Sequence, residues 1–135
     1  QTASSSATID FTSGIDSTYK LYIFKFYDIH PATDNQDLQF NASVDGGSNY
    51  NVAKTSTTFQ AQHDESDTEA LLQYNTDTTF VKHYLATVQG ANASNYTQQL
   101  YTGGYMNTTS AVNAIQFSFQ SGNIDSGTIK MYGVS

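Results

Sequence analysis

The chain has 135 residues and a net charge of −7, and Ser, Thr, Asn and Gln fill much of what the hydrophobic residues leave. Its basic side chains are Lys20, Lys25, Lys54, Lys82 and Lys130, with no arginine, so phosphate neutralisation cannot supply affinity for nucleic acid, and attraction to anionic lipid fails for the same reason. The absence of cysteine removes disulfides, thiolate zinc sites and cysteine nucleophiles together.

The length suits one domain with a single core. Ten Tyr and eight Phe against a single Pro favour pleated, half-buried strands. No apolar run approaches a membrane span. The chain opens on Gln1 and not Met, and its small polar first residues carry no secretion-type h-region, which fits a start after a processed lead.

After the Ser-rich start, Ala7 to Thr12 alternates as a short strand with Ile9 and Phe11 inward. Tyr19 to Ile29 is the longest strand candidate and is apolar on both faces, with Leu21, Ile23 and Tyr27 on one and Tyr22, Phe24 and Phe26 on the other. Such a strand needs cover on both sides. The Tyr22, Phe24 and Phe26 face is therefore a candidate subunit contact, and it predicts a homo-oligomer. Gln36 to Val44 alternates Leu38, Phe40, Ala42 and Val44, and stops at the turn signal Asp45-Gly46-Gly47.

Tyr50 to Gln62 reads as a further strand, and His63 to Glu69 as a polar loop. Ala70 to Tyr74 fits one helical turn or an edge strand. Thr78 to Val88 alternates again, and Tyr96 to Met106 is a strand with a bulge or bend expected at Gly103-Gly104. Ile115, Phe117 and Phe119 alternate with Gln116, Ser118 and Gln120, and after a Gly122 to Gly127 loop Ile129 and Met131 continue the pattern to Val134. These spacings predict a single all-β domain over residues 1–135, an antiparallel β-sandwich of jelly-roll type with about eight strands.

Candidate chemistry is sparse. Asp64, Glu65, Asp67 and Glu69 lack the glycine and bidentate Glu of an EF-hand loop, and His30, His63 and His83 show no metal-ligand spacing. No pair of carboxylates alternates on a core-facing strand as glycoside hydrolysis would need, and no Gly-x-Ser-x-Gly elbow occurs. The sequence thus points to no catalytic residue, no metal and no cofactor. Tyr50, Tyr96, Tyr101 and Tyr105 lie beside Asn and Gln and are candidate glycan contacts, able to stack on a pyranose while neighbouring amides bond its hydroxyls.

Both ends of the chain resemble small structural proteins of tailed phages, especially marine and cyanobacterial ones. The similarity is carried by Thr2-Ala-Ser-Ser-Ser-Ala-Thr-Ile-Asp-Phe11, Gly14-Ile-Asp-Ser-Thr-Tyr19, Phe24-Lys-Phe26, Ile29-His-Pro31, Asn107-Thr-Thr-Ser-Ala111 and Ser121-Gly-Asn-Ile-Asp-Ser-Gly-Thr-Ile-Lys-Met-Tyr-Gly133. The resemblance implies a non-enzymatic β-sandwich on the virion exterior, decorating or cementing a capsid beside the major capsid protein. It brings threefold order, a homotrimer, and no catalytic residues. The alternatives are a tail fibre or spike domain that recognises host-surface glycans, and a secreted lectin-like module.

Overall fold

The computed structural model describes residues 1–63, 69–74, 82–91 and 97–135. Among them are ten strands: β1 (Thr2–Ser6), β2 (Ile9–Phe11), β3 (Leu21–Pro31), β4 (Leu38–Ser43), β5 (Lys54–His63), β6 (Glu69–Tyr74), β7 (Lys82–Ala91), β8 (Thr97–Met106), β9 (Ala114–Phe119) and β10 (Ile124–Val134). The chain divides into two compact units, Gln1–Val52 with Ser110–Ser135 and Ala53–Thr109.

The first unit is the sandwich. Sheet A has the order β1-β10-β3 and sheet B the order β2-β9-β4, with every pair antiparallel. From β1 to β4 the chain crosses from one sheet to the other at each step, and β9 and β10 then enter between the strands already laid down. That nested order is the jelly-roll arrangement. Sequence alone leads to one sandwich over 1–135; the sandwich sheets draw only on the first unit, and β5 to β8 form a separate sheet C in the order β6-β5-β8-β7.

Alternation decides what fills the sandwich. On β9, Ile115, Phe117 and Phe119 are buried, while Gln116 and Ser118 face outward. Ile9 and Phe40 pair with Phe117 from either side, and Phe11 and Ala42 pair with Ile115. Sheet A contributes Ala3, Ile124 and Ile129, with Ile124 and Ile129 fully buried. Phe117 sits at the centre, with ring centroids 5.2 Å from Phe24, 5.0 Å from Phe26 and 6.2 Å from Phe11, all edge-on. Edge-to-face packing suits the ring quadrupoles and adds to the burial itself.

Three elements differ from the sequence reading. The Ser-rich start is a strand, because β10 supplies its backbone partners: the Gln1 terminal amine donates to the Ile129 carbonyl (3.0 Å), and the Ile129 N–H donates back to Gln1 (2.9 Å). The 122–127 loop is shorter than its composition suggests, since β10 begins at Ile124 and absorbs two register shifts against β3 between Ile124 and Thr128. Gly127 makes those shifts feasible, at φ 122° with a backbone so close to Asp28 and Ile29 that a Cβ would collide. Third, β8 runs past Gly103-Gly104 with unbroken register to both neighbours, so no bulge forms there. Gly104 answers a close approach instead, where a side chain would strike the Thr55 carbonyl and the Tyr84 ring, whose hydroxyl bonds Ser56. Ala70 to Tyr74, open between helical turn and strand, is part of edge strand β6.

Candidate contact surfaces

The two faces of β3 have opposite fates. Phe24 and Phe26 pair with Met131 and Ile129 on β10 and turn inward onto Phe117. Tyr22 is tied down by the preceding loop, its hydroxyl donating to the Asp16 carbonyl and accepting the Asp16 N–H, both at 2.9 Å. The Tyr22, Phe24 and Phe26 face is thus partly covered within its own unit, by the preceding loop at Tyr22 and by Phe117 at Phe24, while Phe26 remains 43% exposed. Sheet B supplies part of the second cover within the same unit, through the Phe117 ring.

The other face of β3 lies on the outer side of sheet A. Leu21 pairs with Val134, Ile23 with Tyr132, Lys25 with Lys130 and Tyr27 with Thr128. Leu21 is 54% exposed, and Ile23, Tyr27, Tyr132 and Val134 are each exposed as well. The Lys25 ammonium stands 5.7 Å from the centre of the Tyr132 ring and the Lys130 ammonium 5.2 Å from that of Tyr27. Each cation thus lies over the tyrosine diagonal to it, within cation–π range. The Tyr132 phenol titrates above its ordinary value, first because of its hydrogen bond with Tyr27 and then by desolvation. Sequence reading found these apolar residues but not their grouping with the lysines, because cross-strand register is set by pairing between distant segments.

Of the four candidate glycan tyrosines, Tyr50 belongs to the first unit and Tyr101 and Tyr105 to the second. Tyr50 belongs to a loop that is closed around Asp45. The Asp45 carboxylate accepts from Ser43 Oγ (2.6 Å), the Asn49 N–H (2.8 Å) and Asn49 Nδ2 (2.7 Å), and these bonds lower its pKa to about 2. The buried Ser43 Oγ also accepts the Gly47 N–H at 3.0 Å. Tyr50 packs against Gly47 with its hydroxyl buried, and desolvation followed by the charges of Asp10 and Asp45 raises its pKa. A ring held in this way offers no stacking platform. Tyr96 lies outside the described residues.

Tyr101 and Tyr105, by contrast, share one face of β8, two positions either side of Gly103. Tyr101 is flanked by its register partners Phe59 and Thr87, and Tyr105 by Thr55 and His83. Phe59 and Tyr101 rings are 6.2 Å apart, and His83 and Tyr105 rings 6.4 Å. Among the described residues nothing stands over Gly103, and the two ring pairs border a saddle about 14 Å long, at 3.4 Å per residue.

Catalytic or metal-holding geometry does not assemble among the described residues. His30 pairs with Asp28 at 2.8 Å on the surface, and no group of three or more His, Asp or Glu converges on a point. Asp64, Glu65 and Asp67 lie outside the described residues, and Glu69 opens β6. No described helix is long and apolar enough to cross a membrane. No protein-family model matches the chain, nor does any curated protein or solved structure.

Proposed function

We propose that the chain is a non-enzymatic structural protein of the virion exterior that decorates or cements a capsid, docking through the outer face of sheet A. The observation that carries this reading is where the phage-like residues fall in the fold. Of those residues, Thr2 to Ser6, Phe24 to Phe26, Ile29 to Pro31 and Ile124 to Gly133 belong to β1, β3 and β10, the three strands of sheet A, while Ile9 to Phe11 form β2 of sheet B and Gly14 to Tyr19 and Asn107 to Ala111 lie outside sheet A. The same sheet carries the exposed row of Leu21, Ile23, Tyr27, Tyr132 and Val134. Grouped exposed apolar residues of this kind mark contact sites.

Gold-labelled antibody against the chain tests the reading on intact particles. Label over the capsid shell is the expected result. Label over neither shell nor tail would end it. Threefold order is part of the proposal through the resemblance alone.

A second reading, recognition of host-surface glycans by a fibre or spike domain, is favoured by the Tyr101 and Tyr105 face of sheet C. Label confined to tail tips, with glycan-array binding lost in Tyr101→Ala and Tyr105→Ala, would select it over decoration.

A further inference from the structure

The chain has few cations, and two of its five lysines stand directly opposite one another on the outer face of sheet A. Residues paired across antiparallel strands have Cα atoms about 4.5–5.5 Å apart, and like charges in that position are destabilising. Among the described residues neither ammonium has a carboxylate partner, and the ion pair there is between His30 and Asp28. Each instead leans on a tyrosine ring, Lys25 on Tyr132 and Lys130 on Tyr27. The result is a local positive centre, bordered by exposed aliphatic side chains, on a protein whose net charge is −7.

An anion between the two ammonium groups would turn their mutual repulsion into attraction for both. The chemistry of the rim narrows the choice of anion. Leu21, Ile23 and Val134 are aliphatic and match protein side chains better than the hydroxyl-rich surface of a glycan. Two lysines on a chain of this net charge are too few to hold a nucleic-acid backbone. Face-to-face pairing with a second copy would bring four ammonium groups together, which charge complementarity forbids. We propose that this face docks an acidic segment of a partner protein, with a carboxylate seated between Lys25 and Lys130 and apolar side chains on Leu21, Ile23 and Val134. The inference rests on the reading of this face as the docking face, and it adds the chemistry of the partner.

The test uses the full chain and poly-L-glutamate as the acidic probe. Overall charge repels this probe, so binding requires a local positive site. Saturable binding is expected at low salt, with backbone NMR shifts confined to β3 and β10 and affinity weakened about tenfold or more at physiological salt, where the Debye length is about 8 Å. The double variant K25E/K130E should abolish it, and K25Q/K130Q should weaken it about tenfold or more, the scale set by losing charge-assisted bonds. Both lysines are exposed, and unchanged melting temperatures verify that the variants fold.

The proposal is overturned if poly-L-glutamate fails to bind, if K25E/K130E binds as well as the parent, or if the shifted residues lie off sheet A. Concentration-dependent self-association through this face, lost in Leu21→Glu, would also overturn it, because the occupant would then be a second copy. Co-sedimentation with virions is read separately. If the parent binds the acidic probe but no particle, decoration falls and the acidic-partner assignment stands.

Discussion

Phe117 illustrates how far one residue can organise a small sandwich. It meets three other phenylalanines from β2 and β3 and is 5% exposed. Phe117→Ala removes the shared partner of all three and leaves a cavity that both sheets border. It should cost about 3–5 kcal/mol, the usual range for a buried Phe-to-Ala change. Chemical denaturation reads this directly, and a shift below about 1 kcal/mol, the level of an ordinary surface change, would refute the central position. Asp45 makes a different kind of prediction. Its carboxyl is held down to about 2 by Ser43 and Asn49, below the ordinary value of about 3.9, so the folded state favours the charged form. The stability from this group is therefore complete above about pH 4 and is lost as pH falls toward 2. Asp16, lowered first by its bond with Thr18, acts in the same direction. Melting temperatures of Asp45→Asn and the parent should differ at neutral pH and converge as pH falls from 4 to 2; a constant difference would show that the loop is not held by the ionised carboxylate.

Among the elements, β3 and β10 decide most of the surface chemistry, and their register depends on Gly127. The bulged pairing puts Asp28 in a left-handed conformation at φ 52° and brings its carbonyl against Gly127. Gly127→Ala must accept both a disfavoured φ and a backbone collision. Gly46 also has a positive φ, of 73° against 122° at Gly127, but a Cβ there would meet open space among the described residues. Strain alone should cost Gly46→Ala about 1–2 kcal/mol, and Gly127→Ala should lose clearly more. Parallel thermal melts test the ranking, and equal losses would mean that close approach to β3 does not matter. Sequence reading places a loop at Gly122 to Gly127 and misses the early part of β10. Ser126, Gly127 and Thr128 have little β character of their own, and it is pairing with β1 and β3 that holds them extended.

For the whole molecule, packing of Phe24 and Phe26 onto Phe117 reduces the apolar surface that suggested self-association, leaving Phe26 43% exposed, and the lysine pair opposes face-to-face contact of sheet A. The isolated chain should accordingly scatter light as a 14.8 kDa monomer at micromolar concentration, with any threefold order formed on the particle. A stable trimer in solution that persists in Leu21→Glu would show that a surface other than the outer face of sheet A joins the copies. The sequence by itself determined the all-β class, the inward sets on β2, β4 and β9, and the fact that β3 has two apolar faces. Those features follow from local alternation, because side chains two apart share a face whatever the strand pairs with. Period-two alternation cannot say which face of β3 turns inward, that the first residues pair with the last strand, that β8 runs through Gly103-Gly104 without a bulge, or that Lys25 stands opposite Lys130. The tertiary structure decided all four, since each depends on backbone pairing and packing between segments far apart in the chain.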